Sequence, residues 1–149
     1  MASGAHDNGH DRAAERQAVE ELLASPVFGR SDQLRQILRY VCAEELAGRG
    51  LQLTEYSIGV HALGRPADFS PETDSTVRTR ACELRKRLEE YHRREGEGMP
   101  IRIELPKGSY RPRFLRQAPR TLRPEAPETA PRSAASRFWL GMALGVALA

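Results

Sequence analysis

Basic side chains recur along residues 74–96, the segment DSTVRTRACELRKRLEEYHRREG, at spacings that a helix would place on one surface. Between them the apolar residues alternate four and three apart, which gives a helix one continuous apolar face. That face consists of Val77, Ala81, Leu84, Leu88 and Tyr91. The opposite face would carry guanidinium and ammonium groups. In protein–DNA complexes such groups contact the phosphates and guanine edges of the nucleic acid. A solvated helix face would have the same composition, so this segment alone leaves both interpretations open.

The orientation of each polar residue on this helix follows from a rotation of about 100° per residue. With Val77 directed inward, the outward positions begin with short polar side chains, which would let the helix axis approach base edges. Cys82 shares that outward face. Arg87, Arg93 and Arg94 lie nearer the C-terminus, where they favour the helix dipole. The candidate contact residues are Ser75, Thr79, Glu83 and Lys86 on the outward face and Arg78, Arg80 and Arg85 at its edges.

A β-hairpin is predicted directly after this helix, in the segment IRIELPKGSYRPRF at residues 101–114. Its first half alternates apolar and charged residues, which is typical of a strand with one buried face. PKGS would form the turn, and YRPRF would return as an edge strand because Pro112 cannot donate a ladder hydrogen bond. Three cations at the turn and on one strand face complete the candidate contact residues: Lys107, Arg111 and Arg113.

The upstream sequence supplies the helices that must position these two elements. Periodicity predicts a helix from about Asp11 to Leu23, a second from Ser31 to Gly48, and a short third capped by Thr54 and ending near Leu63. Thr73 or Asp74 can cap the long basic helix. The fold class is therefore mainly α with a small β-hairpin (α+β), in the order of a winged helix-turn-helix with three to four helices and a C-terminal wing.

Charge is unevenly distributed along the 149 residues, whose formal net charge is +3. Residues 11–73 contain seven Lys/Arg against ten Asp/Glu, whereas residues 74–116 contain twelve against seven. The positive field therefore lies in one half of the predicted domain, which favours an anionic partner there. Cys42 and Cys82 have no metal-binding spacing and indicate free thiols in a reducing compartment.

Enzymatic chemistry is not indicated. His61 and His92 have no nucleophile placed beside them, and the sequence contains neither a GxSxG elbow nor a phosphate-binding loop. DFSPETD at residues 68–74 lacks the glycine and spacing of a calcium loop. We therefore expect no enzyme, no cofactor, no metal and no small-molecule substrate.

Composition divides the chain into a disordered N-terminus (residues 1–10), a domain (11–116), a Pro/Ala/Arg-rich linker (117–136) and an apolar tail (137–149). A twelve-residue helix rises only about 18 Å, short of the roughly 30 Å hydrocarbon core. The tail is predicted to be the start of a truncated transmembrane helix, with Arg132 and Arg137 keeping its N-terminal side cytoplasmic. A loose apolar tail is the alternative.

DSTVRTRACELRKRLEEY followed by IRIELPKGSYRPRF resembles the OmpR/PhoB-type winged helix-turn-helix DNA-binding domain, over about residues 17–114. The residues that carry the resemblance are Leu84, Arg85, Lys86, Leu88, Gly108 and Tyr110. The resemblance implies DNA contacts by Thr79, Arg80, Glu83 and Arg85, with Arg111 near the wing position that reaches the adjacent groove. Two features depart from the family: Glu83 stands where arginine is common, and a helix replaces the N-terminal four-stranded sheet.

The layout is similar to that of membrane-associated bacterial regulators of the CadC/ToxR type. The resemblance therefore implies a cytoplasmic transcriptional regulator domain that binds double-stranded DNA, tethered to the inner membrane by its C-terminal segment. A homodimer on repeated half-sites is one arrangement that such domains adopt. The alternative is a winged-helix protein-interaction module of a membrane signalling protein, which would bind with a weaker dependence on salt.

Overall fold

The computed structural model describes the backbone of residues 7–118 and the side chains of residues 11–118. The expectations for residues 1–6, for the linker from residue 119 onward and for the apolar tail lie outside this range. Within it, the chain is mainly helical with a two-stranded antiparallel sheet, which confirms the α+β class. The elements are α1 (Asp7–Ala24), α2 (Asp32–Leu46), a 3-10 turn (Gly50–Gln52), α3 (Glu55–His61), α4 (Thr76–Arg94), β1 (Ile101–Glu104) and β2 (Arg113–Arg116).

Helix boundaries agree with the sequence pattern to within a few residues. The start of α1 lies at Asp7, upstream of the expected Asp11. Thr54 caps α3 as predicted, and Ser57 completes a reciprocal capping box with it. α4 begins at Thr76, two residues after Asp74. The Asp74 side chain accepts a hydrogen bond from the backbone N–H of Thr76 at 2.8 Å and so satisfies a free donor at the start of the helix.

The inner face of α4 is buried as the periodicity predicted. Val77, Ala81, Leu84, Leu88 and Tyr91 all lie in the core, against the apolar stripe of α2. Burying a large aliphatic side chain contributes about 1.5–3 kcal/mol relative to leaving it exposed, so this seam fixes which side of α4 is turned toward solvent.

The loop before α4 is fixed by an aromatic ring packed on a glycine. Phe69 is buried, and its ring lies where a side chain on Gly59 in α3 would have to be. A Cβ atom at Gly59 would lie 2.5 Å from Cε1 of Phe69, too close for two carbon atoms. This contact holds the 62–75 connection against α3 and so sets where α4 begins.

We expect Gly59→Ala to destabilise the protein. The lost space for Phe69 costs about 1–3 kcal/mol, offset in part by the better helix propensity of alanine, which leaves a net loss of about 1–2 kcal/mol. Urea denaturation followed by circular dichroism measures this change. The matched control is Gly29→Ala, whose new Cβ would lie 3.4 Å from the nearest atom. Equal effects of the two substitutions would contradict the packing interpretation.

The hairpin pairs Ile103 with Phe114, and Ile101, Ile103 and Leu105 face the core. The second strand begins at Arg113, three residues later than the start of the YRPRF segment, because Pro112 cannot donate to the ladder and lies just before it. Pro112, which has no N–H to donate, therefore lies outside the strand, where no ladder hydrogen bond is required of it.

α4 covers the free edge of β1 through His92, a residue that the sequence pattern left without a role. Nε2 of His92 lies 2.8 Å from the carbonyl oxygen of Ile103 and 3.3 Å from its backbone nitrogen, so the ring contacts both backbone groups of that residue. Nδ1 is buried and has no hydrogen-bond partner among the described residues. Gly96 makes room for the ring, since a Cβ atom there would lie 2.8 Å from Nδ1. An unpaired strand edge is thereby satisfied within the fold.

His92 should make stability depend on pH. Its burial lowers its pKa below the ordinary 6.5, outweighing the hydrogen bond to Ile103, which raises it. Because the unfolded chain then binds this proton more tightly than the folded chain, the free energy of unfolding falls as the pH drops below about 6.5.

We expect a lower melting temperature at about pH 5 than at about pH 7.5. His92→Gln retains an N–H donor for Ile103 but does not titrate, so its melting temperature should change less between the two pH values. An equal change in both proteins would show that His92 is not the group responsible.

Candidate nucleic-acid interface

The centre of the outward face of α4 is uncovered. Ser75, Thr79, Cys82 and Lys86 are all exposed, as the helical rotation predicted. Among residues 11–118, none of their side chains takes part in a hydrogen bond or an ion pair. This strip is therefore the part of α4 that a partner could reach without displacing an internal contact.

Ion pairs occupy the edge of α4 that lies away from the hairpin. Arg80 donates to Glu83 at 2.9 Å, and Arg87 and Arg94 both bind Glu90, at 3.4 and 3.2 Å. These pairs are partly exposed, and pairs of that kind contribute about 0–1 kcal/mol each. The positive charge counted in the sequence is therefore partly balanced on the surface, and Glu83 is a partner of Arg80 rather than an isolated carboxylate.

Arg85, predicted to contact DNA from the flank of α4, is instead directed to the hairpin turn. Its Nε donates to the carbonyl oxygen of Leu105 at 3.1 Å, and its Nη2 donates to those of Pro106 and Ser109 at 3.2 and 3.1 Å. Turn carbonyls have no ladder partners, and a charged planar donor satisfies several of them at once. In this structure Arg85 holds the hairpin tip on α4.

The hairpin tip presents one cation at the turn and one at the start of the second strand. Lys107 lies in the turn and is exposed, next to Gly108, whose φ of 77° suits glycine. Arg113 is exposed on the solvent side of β2. Among residues 11–118, neither cation forms an ion pair. With Lys86 on α4, they are the predicted cations that remain unpaired.

Arg111 is paired with a distant helix. Its guanidinium binds the carboxylate of Glu45 through two bonds of 2.7 and 2.8 Å, near the end of α2. Gly50 permits this contact, because a Cβ atom there would overlap Glu45 and lie 3.2 Å from Cγ of Arg111. The side chain of Arg111 is 50% exposed, so the pair lies at the surface. Its bidentate geometry favours the contact of this segment with α2.

Glu55 in α3 joins the hairpin to the first turn of α4, which the sequence did not reveal. Its Oε1 accepts the hydroxyl proton of Tyr110 at 2.8 Å, and its Oε2 binds Nη1 of Arg78 at 3.0 Å. Nη1 of Arg78 also donates to the carbonyl of Pro71 at 3.0 Å. Burial, together with the Glu55 carboxylate, raises the pKa of Tyr110 to about 12, so its hydroxyl stays a donor at neutral pH.

A cleft of about 280 Å³ separates the second half of α4 from the hairpin. Arg85, Lys107 and Arg113 contribute to its lining, together with the carboxylates of Glu89 and Glu104. The charged side chains that line it are therefore of both signs. Within residues 11–118, no group of three or more His, Cys, Asp or Glu side chains could hold a metal ion.

Comparison with protein-family models, with curated proteins and with solved structures gives no match for this chain. The described residues contain no helix that is both long and apolar enough to cross a bilayer. The predicted membrane segment at residues 137–149 lies outside them.

Proposed function

We propose that residues 11–116 form a winged-helix domain that binds double-stranded DNA, with α4 as the recognition helix and the hairpin as the wing. One observation supports this most directly. The uncovered strip of α4 and the cations Lys107 and Arg113 lie on neighbouring elements that Arg85 fastens together. Two basic elements held in a fixed relative position can contact a groove of the DNA and the sugar–phosphate backbone beside it.

The predicted contact residues then divide by role. Ser75 and Thr79, in the first turns, are short enough to allow base edges to approach. Lys86, Lys107 and Arg113 are free to contact phosphates, which position the protein without reading sequence.

The remaining candidates have partners in the free protein. Arg80 and Glu83 would contact DNA only after exchanging an ion pair in which both side chains are more than a third exposed, a small cost for such pairs. Arg78 and Arg111 would have to leave the carboxylates of Glu55 and Glu45, which are only 19% and 18% exposed, so their exchange costs more. Arg85 acts as a positioning residue for the wing.

We also propose the cellular role that the resemblance implies. The domain would serve a cytoplasmic transcriptional regulator, tethered to the inner membrane by the apolar C-terminal segment and able to pair as a homodimer on repeated half-sites. These parts of the proposal rest on the sequence pattern and on the family resemblance.

A protein-interaction module is the second candidate, and the ion pairs of α4 favour it. Arg80 is paired with Glu83, and Arg87 and Arg94 share Glu90 on the same helix, so that edge offers charges of both signs. Mixed surfaces suit protein partners, whose recognition depends on complementary charges of both signs.

A gel-shift titration with genomic fragments at two salt concentrations separates the candidates. Three phosphate contacts give a slope of about −2.7 in log K against log salt, so raising salt from about 50 to about 200 mM should weaken binding roughly fortyfold. Failure to shift any fragment at the lower salt concentration would contradict DNA binding and favour the protein-interaction module.

A further inference from the structure

We propose that Glu55 is a positioning residue that fixes the wing against the first turn of the recognition helix; this inference rests on the proposed function. The carboxylate stands between the two elements that would contact DNA. One oxygen receives the Tyr110 hydroxyl from the wing, and the other binds Arg78 of α4. A single side chain of a third element therefore sets their separation.

The surroundings of Glu55 favour a fixed position for it. Its side chain is 19% exposed, and both of its oxygens have a partner. The same Nη1 of Arg78 also donates to the carbonyl of Pro71, which precedes α4. The charge of Glu55 is thus balanced by Arg78, and the Tyr110 hydroxyl donates to a carboxylate that is already oriented, which makes the bond stronger than one between neutral groups.

Glu55 contacts the wing near its turn, away from the paired strands. β1 is held along its length by His92 on Ile103, and β2 is held at its end by the ion pair between Arg116 and Asp11. At the tip, Arg85 holds the turn from the side of α4, and Tyr110 extends to α3 just after the turn. Without Glu55, the segment carrying Lys107 would keep Arg85 and the Arg111–Glu45 pair but lose its link to α3. The angle of the wing relative to α4 would then be less restricted.

Near-isosteric variants of the full chain test this role. Tyr110→Phe keeps the ring and removes the hydroxyl, and Glu55→Gln keeps an oxygen that can accept from Tyr110 while removing the charge. Glu55→Leu removes the acceptor altogether. The matched control is Tyr56→Phe, which removes a tyrosine hydroxyl bond from the same helix but one that ends at the carbonyl of Ala67, away from the wing.

Two readouts are measured: amide hydrogen exchange over residues 106–112 without DNA, and fluorescence-anisotropy affinity for a genomic fragment that the wild type binds. We expect Glu55→Leu and Tyr110→Phe each to speed the exchange and weaken the affinity about tenfold, the size of one lost charge-assisted hydrogen bond. The double variant should be no weaker than the worse single variant, because both remove the same contact. Glu55→Gln should recover most of the exchange protection, and Tyr56→Phe should change neither readout more than about twofold.

The outcomes separate this inference from the proposed function. If the wild type binds DNA and Glu55→Leu leaves both readouts unchanged, Glu55 does not position the wing. Independent effects that add in the double variant would also overturn the inference, since the two residues would then not act through one contact. If the wild type binds no DNA, the proposed function fails, while the exchange measurement still decides whether Glu55 holds the hairpin.

Discussion

Arg85→Ala is expected to release the hairpin tip and to weaken DNA binding at least tenfold. The substitution removes three hydrogen bonds from a charged donor to the carbonyls of Leu105, Pro106 and Ser109. Such bonds are worth about 1.5–3 kcal/mol each, and water replaces much of that at a half-buried turn, so we expect a stability loss of about 2–3 kcal/mol. DNA affinity falls because a mobile tip must be ordered on binding. Urea denaturation and a gel shift measure the two effects.

The control for Arg85→Ala is Arg80→Ala, which removes an arginine of the same helix with an exposed ion pair. Its stability loss should be less than about 1 kcal/mol. Arg85→Lys should behave like Arg85→Ala, because a lysine lacks the planar fork that reaches three carbonyls together. If Arg85→Ala weakens DNA binding while stability and hairpin exchange stay as in the wild type, then Arg85 contacts DNA directly, as the family resemblance implied.

Lys86→Glu is expected to weaken DNA binding more than Arg85→Ala does and to have almost no effect on stability. Lys86 is exposed at the centre of the uncovered strip of α4 and has no ion pair within residues 11–118. Charge reversal there would remove one proposed phosphate contact and add a repulsion, so we expect binding to weaken by roughly 2 kcal/mol, or about thirtyfold, at low salt. Fluorescence anisotropy with a bound genomic fragment measures the change.

Arg39→Glu is the matched control because it changes the net charge by the same amount. Arg39 is exposed on α2 and lines the groove between α1 and α2, a different surface from the α4 strip. Its effect on binding should be limited to long-range electrostatics, about threefold or less at physiological salt. Equal losses in the two variants would show that binding follows net charge and that the strip of α4 is not the interface.

Local sequence patterns predicted the helices well because helix formation depends on the spacing of residues within a single element. The Val77–Tyr91 stripe, the cap at Thr54 and the alternation from Ile101 to Leu105 each depend on spacing within one element. The second strand begins three residues later than predicted, directly after Pro112, and its register depends on cross-strand packing of Ile103 on Phe114. No local signal gives that pairing.

The outward face of α4 was also predictable, because orientation follows from the buried stripe. The partners of its edge residues were not. Arg85 binds carbonyls twenty or more residues away, and Tyr110 and Arg111 bind Glu55 and Glu45 across 55 and 66 residues of sequence. Long side chains at a helix edge choose among solvent, ligand and distant protein groups, and the choice depends on the tertiary fold. Glu55 carries no local signal of its role, because its partners Tyr110 and Arg78 lie on other elements.

Contact between this surface and DNA phosphates can be measured through the salt dependence of affinity. The comparison is between the wild type and the triple variant Lys86→Ala, Lys107→Ala, Arg113→Ala. If these cations contact phosphates, log K against log salt should be steep for the wild type, and the slope should become shallower by about 2.7 in the variant. An identical slope in both proteins, or binding by the wild type that does not respond to salt, would contradict the assignment of this surface to DNA.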